Sequence, residues 1–332
     1  MEKRLYALDN LRCFLIVSVL LGHFLEVLSP FWGSVLLYKT IYSFHMPLMI
    51  FLSGYFARFR LKEYLLRLLC PYLLFQGLYQ LFAHCFLEGQ PLSSFRYLPH
   101  QPYWILWYLF VLLAYYLLTL LPVPKRAGVQ AGIVGGSLLL ALLVGYSSLG
   151  YAFSLSRMVY FLPFFLAGYY GGKSRLHERV LAWKTGKSLL LSGLCALGAA
   201  GGLLWLCYGL GVTQSMFYGA SGYYEGYTLG IRLLILTVAG LWCGALMIFF
   251  LKFLNGKLPL LTYIGQNTLP LYLLHGFLVK TVGKLDLFAD IRRGGILALL
   301  ALTAVTLLLC CNPVTSFLLQ WPKKKKTPAL VK

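Results

Sequence analysis

The stretch LDNLRCFLIVSVLLGHFLEVL, residues 8–28, decides the fold. Its centre, 13–22, is apolar or nearly so, and the run is long enough to cross a bilayer as one helix. Three residues do not belong in a plain anchor: Arg12 near the start, His23 two-thirds of the way along, and Glu26 just after it. At about 100° per residue, the steps from Arg12 to His23 make roughly three full turns, so both project from one face about 16 Å apart. Glu26, at i+3 from His23, is close enough to orient its imidazole. Ionisable groups inside a span are costly and usually face a polar interior rather than lipid.

Composition extends this reading to the whole chain of 332 residues. Sixty per cent of them are apolar, 11% are charged and the mean hydropathy is +0.76, which excludes an ordinary soluble domain. Hydrophobic runs of spanning length recur to the C-terminus, so the fold class is all-α, a polytopic membrane helical bundle. A net charge of +20 would suggest nucleic acid in a soluble protein. Here no nucleic acid is expected, because Lys and Arg in excess hold cytoplasmic loops against anionic membrane lipid. The eight cysteines are scattered, and no CxxC or Cys/His spacing accompanies them, so neither disulfides nor a metal is expected. The basic start Met1-Glu-Lys-Arg resembles a signal peptide, but no small-residue cleavage site follows, and the segment reads as a retained first span.

Taken in order, the expected spans are 10–28, 35–56, 65–87, 103–121, 127–146, 157–172, 188–208, 228–251, 269–282 and 295–312. Residues 88–102, with three prolines, form an outer loop. Span four opens on Tyr103, Trp104, Trp107 and Tyr108, as an interfacial belt does. Gly128, Gly132 and Gly136, at four-residue spacing, predict a close helix-packing face in span five. Residues 173–187 contain LHERVLAWK, an amphipathic surface segment. With about ten spans and both termini cytoplasmic, about 21 of the 29 Lys and Arg lie inside or at the inner boundary. Residues 1–322 then form a single transmembrane domain, with 323–332 a basic, lipid-binding tail.

Polar groups at membrane depth are few: His23, Glu26, His45, Gln76, Gln80, His84, Asn267, His275 and Lys280, with Arg12, Arg157, Glu225 and Arg232 nearer the surfaces. One buried histidine is most often a satisfied core residue. Three in one bundle, with a carboxylate within a turn of the first, argue for a shared polar cavity. A three-histidine zinc site lacks any supporting spacing. The turn Arg58-Phe-Arg60-Leu-Lys62, with Arg67 beyond it, has two readings: a topology signal, or a cationic mouth for a phosphate-bearing cytosolic ligand. Arg67, lying within LLRLLCPY, favours the second.

Asp9-x-x-Arg12, with ten residues between Arg12 and His23, resembles the opening signature of the acyltransferase 3 family of membrane enzymes. FHMPLMIFLSGYF (44–56) resembles its second signature, Arg157 with YFLPFFLAGYY (160–170) its sixth-span pattern, and YIGQNTLPLYLLHGF (263–277) is similar to its late motif. The nearest flavour is the fucose 4-O-acetylase-like branch. The resemblance implies a ten-span enzyme that moves an acyl group, usually acetyl from acetyl-CoA, onto a cell-surface glycan or related acceptor. It implies Arg12 and His23 as the essential pair, and an acyl-donor site near Ser53-Gly54 and the basic groups after them. Some members finish the transfer with an extracellular esterase-like domain; here the bundle itself, or a partner, would do so.

The expectation is therefore an integral membrane O-acyltransferase, set in a bacterial plasma membrane, with no bound cofactor and acetyl-CoA as co-substrate. Some of Arg12, Arg58, Arg60, Lys62 and Arg67 hold the CoA phosphates, and His23 acts as general base or carries the acetyl, with Glu26 fixing its tautomer. A glycan or lipid-linked glycan acceptor meets Arg157, Tyr223, Tyr224 and Glu225 from the outer side. His45, Asn267, Tyr272 and His275 line the acceptor side or the cavity. A transporter or flippase of a lipid-linked sugar uses the same ingredients, although inverted repeats are not apparent. A glycan polymerase would want larger outer loops.

Overall fold

Lipid offers no partners for backbone N–H and C=O groups, so a chain this apolar must satisfy them within helices. The structure, a computed structural model, describes residues 5–28, 30–31, 33–286 and 295–319. Among these it is helical throughout its regular elements, apart from an isolated bridge between Tyr224 and Tyr227. The helices are α1 (Tyr6–Val27), α2 (Ser34–Tyr55), α3 (Leu61–Leu87), α4 (Trp104–Leu118), α5 (Ala127–Tyr146), α6 (Ala152–Lys173), α7 (Leu176–Ala182) and α8 (Thr185–Gly209). They continue with α9 (Leu229–Phe253), α10 (Pro259–Gln266), α11 (Thr268–Leu285), α12 (Gly295–Cys310) and α13 (Pro313–Leu319).

Each expected span has a helix at its place. Seven of them, α1, α2, α3, α5, α6, α8 and α9, are long and apolar enough to cross a membrane, and the pair α12–α13, bent by 59°, makes an eighth if counted as one. α4 is apolar but shorter, and α11 has 18 residues but carries His275, Lys280 and Lys284. The protein is an all-α polytopic membrane protein. Residues 287–294, between the last two expected spans, and the whole basic tail 323–332 lie outside the described residues.

α1 is the axis, packed against α2, α9, α10, α11 and α12. Its first turns are clamped to α10. A Cβ on Gly265 would sit 1.7 Å from the Asp9 carbonyl oxygen, so only glycine lets the two backbones meet there. Fully buried Asn10 donates through Nδ2 to the carbonyls of Leu254 (2.9 Å) and Gly256 (3.0 Å), and its Oδ1 accepts from Thr262 Oγ1 at 2.9 Å. Another buried amide shapes the far end. Gln76 Nε2 donates to the carbonyls of Leu98 and Gln101, and its Oε1 accepts from the Tyr103 N–H, which delivers Trp104 to the bundle.

Helix association in lipid rests on close packing rather than on hydrophobic burial, so small residues decide where helices touch. The expected face at Gly128, Gly132 and Gly136 is not such a place: a Cβ on any of them meets nothing within 4 Å, and α5 turns this stripe outward. Four-residue spacing shows a face without bulk, not that a neighbour covers it. The close contact is between α2 and α6 instead. Cβ atoms on Gly54, Gly168 and Gly172 would lie 2.1 Å from Phe165 O, 1.9 Å from Phe51 O and 2.2 Å from Tyr55 O. These obstacles are backbone, which cannot rotate away. Gly168→Ala is therefore expected to destabilise the protein by more than about 2 kcal/mol, read as a fall in thermal unfolding temperature in detergent. Gly132→Ala should be neutral or slightly stabilising, as alanine is the better helix former. Equal stability of the two variants would contradict the packing assignment.

Candidate active site

His23 and Glu26 stand one turn apart near the C-terminal end of α1. His23 Nδ1 lies 3.4 Å from Glu26 Oε2. From α2, Tyr38 donates to Glu26 Oε1 at 2.9 Å, and Tyr42, at i+4 from Tyr38, donates to the same oxygen. Tyr42 Oη is also 3.4 Å from His23 Nδ1, and Tyr38 Oη lies 2.6 Å from Tyr218 Oη. The carboxylate is thus fixed by two hydroxyls and left to accept from imidazole. With Nδ1–H directed at Glu26, His23 keeps its lone pair on Nε2, the arrangement of a general base.

Two more histidines flank the first. His275 stacks on His23, with ring centroids 5.5 Å apart and planes at 24°, and its Nδ1–H donates to Leu271 O at 3.0 Å. His45 Nδ1–H donates to Ile41 O at 2.8 Å, and its ring meets Tyr42 edge-on at 4.7 Å. Both therefore present Nε2 as an acceptor. Trp104 closes the other side, 4.7 Å from the His23 ring and 4.3 Å from Lys280 Nζ. It adopts φ +37°, a left-handed conformation that costs a non-glycine residue about 1–2 kcal/mol. Strain of that kind collects at functional sites.

Some of these groups border a cavity of about 510 Å³ whose wall includes His23, Glu26, Tyr42, His45, Trp104, Arg157, Tyr218 and Tyr272. A second cavity, of about 830 Å³, opens near the other end of α1 and is bordered by Arg12, Ser53, Arg67, Gln266, Asn267 and the short helix α13. Arg12 Nη1 lies 3.7 Å from Asp9 Oδ1, its guanidinium covers the Phe56 ring at 4.3 Å, and Asp9 in turn accepts from Gln266 Nε2 at 3.1 Å. Met49 and Tyr108 line both cavities. Tyr108 Oη lies 2.7 Å from Ser53 Oγ, so the partition between them is a hydrogen-bonded side chain beside a flexible methionine.

A family model described as an acyltransferase domain matches residues 5–313. The chain belongs to the acyltransferase 3 family. No curated protein and no solved structure matches it. The protein is accordingly a membrane acyltransferase.

The acyltransferase brings together most of the residues singled out from sequence, but in two groups. Of the expected donor residues, Arg12, Ser53 and Arg67 border the larger cavity, whereas Arg58, Arg60 and Lys62 do not. Arg60 instead pairs with Glu63 at 3.3 Å on an exposed turn, and Gly54 faces α6. Of the expected acceptor or cavity residues, His45, Arg157 and Tyr272 border the smaller cavity, Asn267 the larger one, and His275 stands behind His23. Glu225 is exposed in the turn between Tyr224 and buried Tyr227, and Tyr223 is drawn away to Leu142 O at 2.7 Å. The loop sends Gln214, Phe217 and Tyr218 into the cavity instead.

Sequence reasoning passed over Tyr38, Tyr42 and Tyr218 because tyrosine in membrane proteins usually marks the interface. A usable signal existed in α2: Tyr38, Tyr42 and His45 recur at i, i+4 and i+7, one helical face.

Proposed function

We propose that this acyltransferase draws acetyl-CoA into the Arg12 cavity from the cytoplasmic side and esterifies a hydroxyl of a cell-surface glycan, or its lipid-linked precursor, held in the His23 cavity. The observation that carries this reading is the meeting of the two cavities at Met49 and Tyr108, between Arg12 and His23. The distribution of Lys and Arg favours ten spans with both termini cytoplasmic, and the resemblance to the fucose 4-O-acetylase-like branch favours acetyl as the acyl group. Arg12 and Arg67 bind the CoA phosphates, and the pantetheine arm passes Tyr108. His23 Nε2 takes the proton of the acceptor hydroxyl as its oxygen attacks the thioester carbonyl. The new C–O bond forms, the C–S bond breaks, and His23 returns the proton to the departing thiolate, leaving ester and free CoA thiol. Proton transfer by a base positioned like His23 contributes about 10²–10⁴-fold, and Glu26, steadied by Tyr38 and Tyr42, holds the imidazole in the required tautomer and stabilises its protonated form.

Release of CoA thiol from acetyl-CoA by the purified protein, dependent on added glycan, tests the reading. A flippase would consume no thioester.

The donor side has its own test. Arg67→Gln is expected to raise the KM for acetyl-CoA about tenfold or more with a smaller change in kcat, since a remote phosphate contact acts alike in ground and transition states. Changing Arg58, Arg60 and Lys62 together to Gln should raise KM by no more than about fivefold, as exposed charges in water contribute little. Acetyl-pantetheine, which lacks the nucleotide phosphates, should be nearly indifferent to either change. A larger effect from the triple variant would move the phosphate site out to the turn.

A further inference from the structure

Two buried or half-buried arginines stand near the outer loops, and they are used differently. Arg232 on α9 is fully buried with every nitrogen committed: Nε to Tyr227 Oη at 3.0 Å, Nη1 to Ala141 O at 3.2 Å, and Nη2 to Ser221 O. It also lies against the rings of Tyr160, Tyr223 and Tyr227. Its role is to fasten the loop ahead of α9 to α5. Arg157 on α6 has one such bond, from Nε to Tyr218 O at 3.2 Å. Its guanidinium rests against Trp107 and Tyr151, each 4.8 Å from ring centroid to Cζ, and it borders the His23 cavity. Among the described residues, Nη1 and Nη2 make no hydrogen bond.

That difference has a chemical consequence. Two aromatic rings and the Nε bond fix the guanidinium in place and leave its two Nη groups, the fork that grips carboxylate or phosphate in two parallel bonds. Among the described residues, Glu26 is the only acidic side chain bordering the cavity, and it is engaged by Tyr38, Tyr42 and His23. No acidic side chain among the described residues pairs directly with Arg157, so its guanidinium is a held cation in the cavity wall without an ion-pair partner. Taking a charge into an apolar wall is costly unless it is paired. Around it, Trp104, Phe217 and Tyr218 offer flat surfaces of the kind that pack against sugar rings.

We infer that the acceptor is an anionic glycan, and that Arg157 is its specificity-determining residue, binding a carboxylate or phosphate group while a hydroxyl of the same unit faces His23. The inference rests on the proposed reading that this cavity holds the acceptor. The anion has two sources, an acidic sugar or a phosphorylated one, and the test separates them.

Purified full-length protein in nanodiscs is given acetyl-CoA with methyl glucoside, methyl glucuronide or methyl glucoside 6-phosphate, and CoA thiol release is followed. At least one anionic acceptor should exceed the neutral glycoside by about tenfold or more in kcat/KM, the size expected for a charge-assisted contact. Preference for the glucuronide points to a carboxylate ligand, and for the phosphate to a phosphorylated one. In Arg157→Gln that preference should shrink to under about threefold, while Arg157→Lys, keeping the charge but not the fork, should fall between. Thermal unfolding of both variants checks that they are folded, and Arg157→Lys decides if Arg157→Gln is not. Wild-type release without preference overturns the inference and leaves the proposed function standing, as does an equal loss on all three acceptors in a folded Arg157→Gln. No release with any of the three overturns the glycan-acceptor reading and the inference with it.

Discussion

Replacing His23 with alanine is expected to lower kcat/KM for acyl transfer by about 10³-fold or more, within the range lost with a positioned general base. The protein should still fold, because the imidazole borders a cavity and its removal leaves α1 more apolar. Glu26→Gln should be damaging but less so. Its Oε1 can still accept from Tyr38 and Tyr42, while an amide NH₂ replaces the acceptor that faces His23 Nδ1. The imidazole then turns its lone pair toward the amide and its proton toward the acceptor, the wrong tautomer for a base. Tyr42→Phe removes one of two hydroxyls on Oε1 and should cost least. The order His23, Glu26, Tyr42 in kcat/KM, measured by thiol release at matched protein levels, checks the arrangement. A His23→Ala enzyme retaining more than a tenth of wild-type activity would remove His23 from the reaction.

The parts of this architecture that were legible in the sequence are those governed by bilayer thickness and helical period. The apolar run of α1 and the face shared by Arg12 and His23 follow from such regularities; the two side chains border separate cavities that share Met49 and Tyr108 in their walls. What was not legible depends on which neighbour arrives. Gly54, Gly168 and Gly172 carry the tight crossing of α2 and α6, although Gly128, Gly132 and Gly136 have the cleaner spacing, because spacing describes one helix and packing needs two. In sequence Arg58, Arg60 and Lys62 group with Arg67 as candidate donor-binding residues, although Arg67 alone lies within an apolar run. Only the path of α3 past Tyr116 and α13 puts Arg67 on a cavity wall. Gln76 reads only as a polar group at membrane depth and Asn10 draws no reading, yet both prove to be clamps with partners among backbone carbonyls far away in sequence. A carbonyl has no residue type, so sequence gives no hint of it.

Arg12→Lys is expected to reduce kcat/KM for acetyl-CoA about tenfold or more, although the charge is kept. In the structure Arg12 is placed by its shape: Nη1 faces Asp9 while the flat guanidinium lies on Phe56. An ammonium group can neither lie flat on a ring in that way nor present two donors in a fixed fork. Asp9 is itself held by Gln266 and by the contact of Gly265 with its backbone, so the site cannot move to meet a shorter donor. Substituting Asp9→Asn should reproduce part of the defect by loosening Arg12, whereas Phe56→Leu should remove only the stacking. The donor dependence separates two roles for the fork. If Arg12 holds a phosphate of CoA, the Arg12→Lys defect measured with acetyl-CoA should largely vanish with acetyl-pantetheine, since the shorter donor has no phosphate to lose. An equally large defect with both donors would place Arg12 at the thioester end and overturn its assignment to the phosphates. Full activity of Arg12→Lys with acetyl-CoA would show that positive charge alone suffices, and the stacking on Phe56 would then have no part in donor binding.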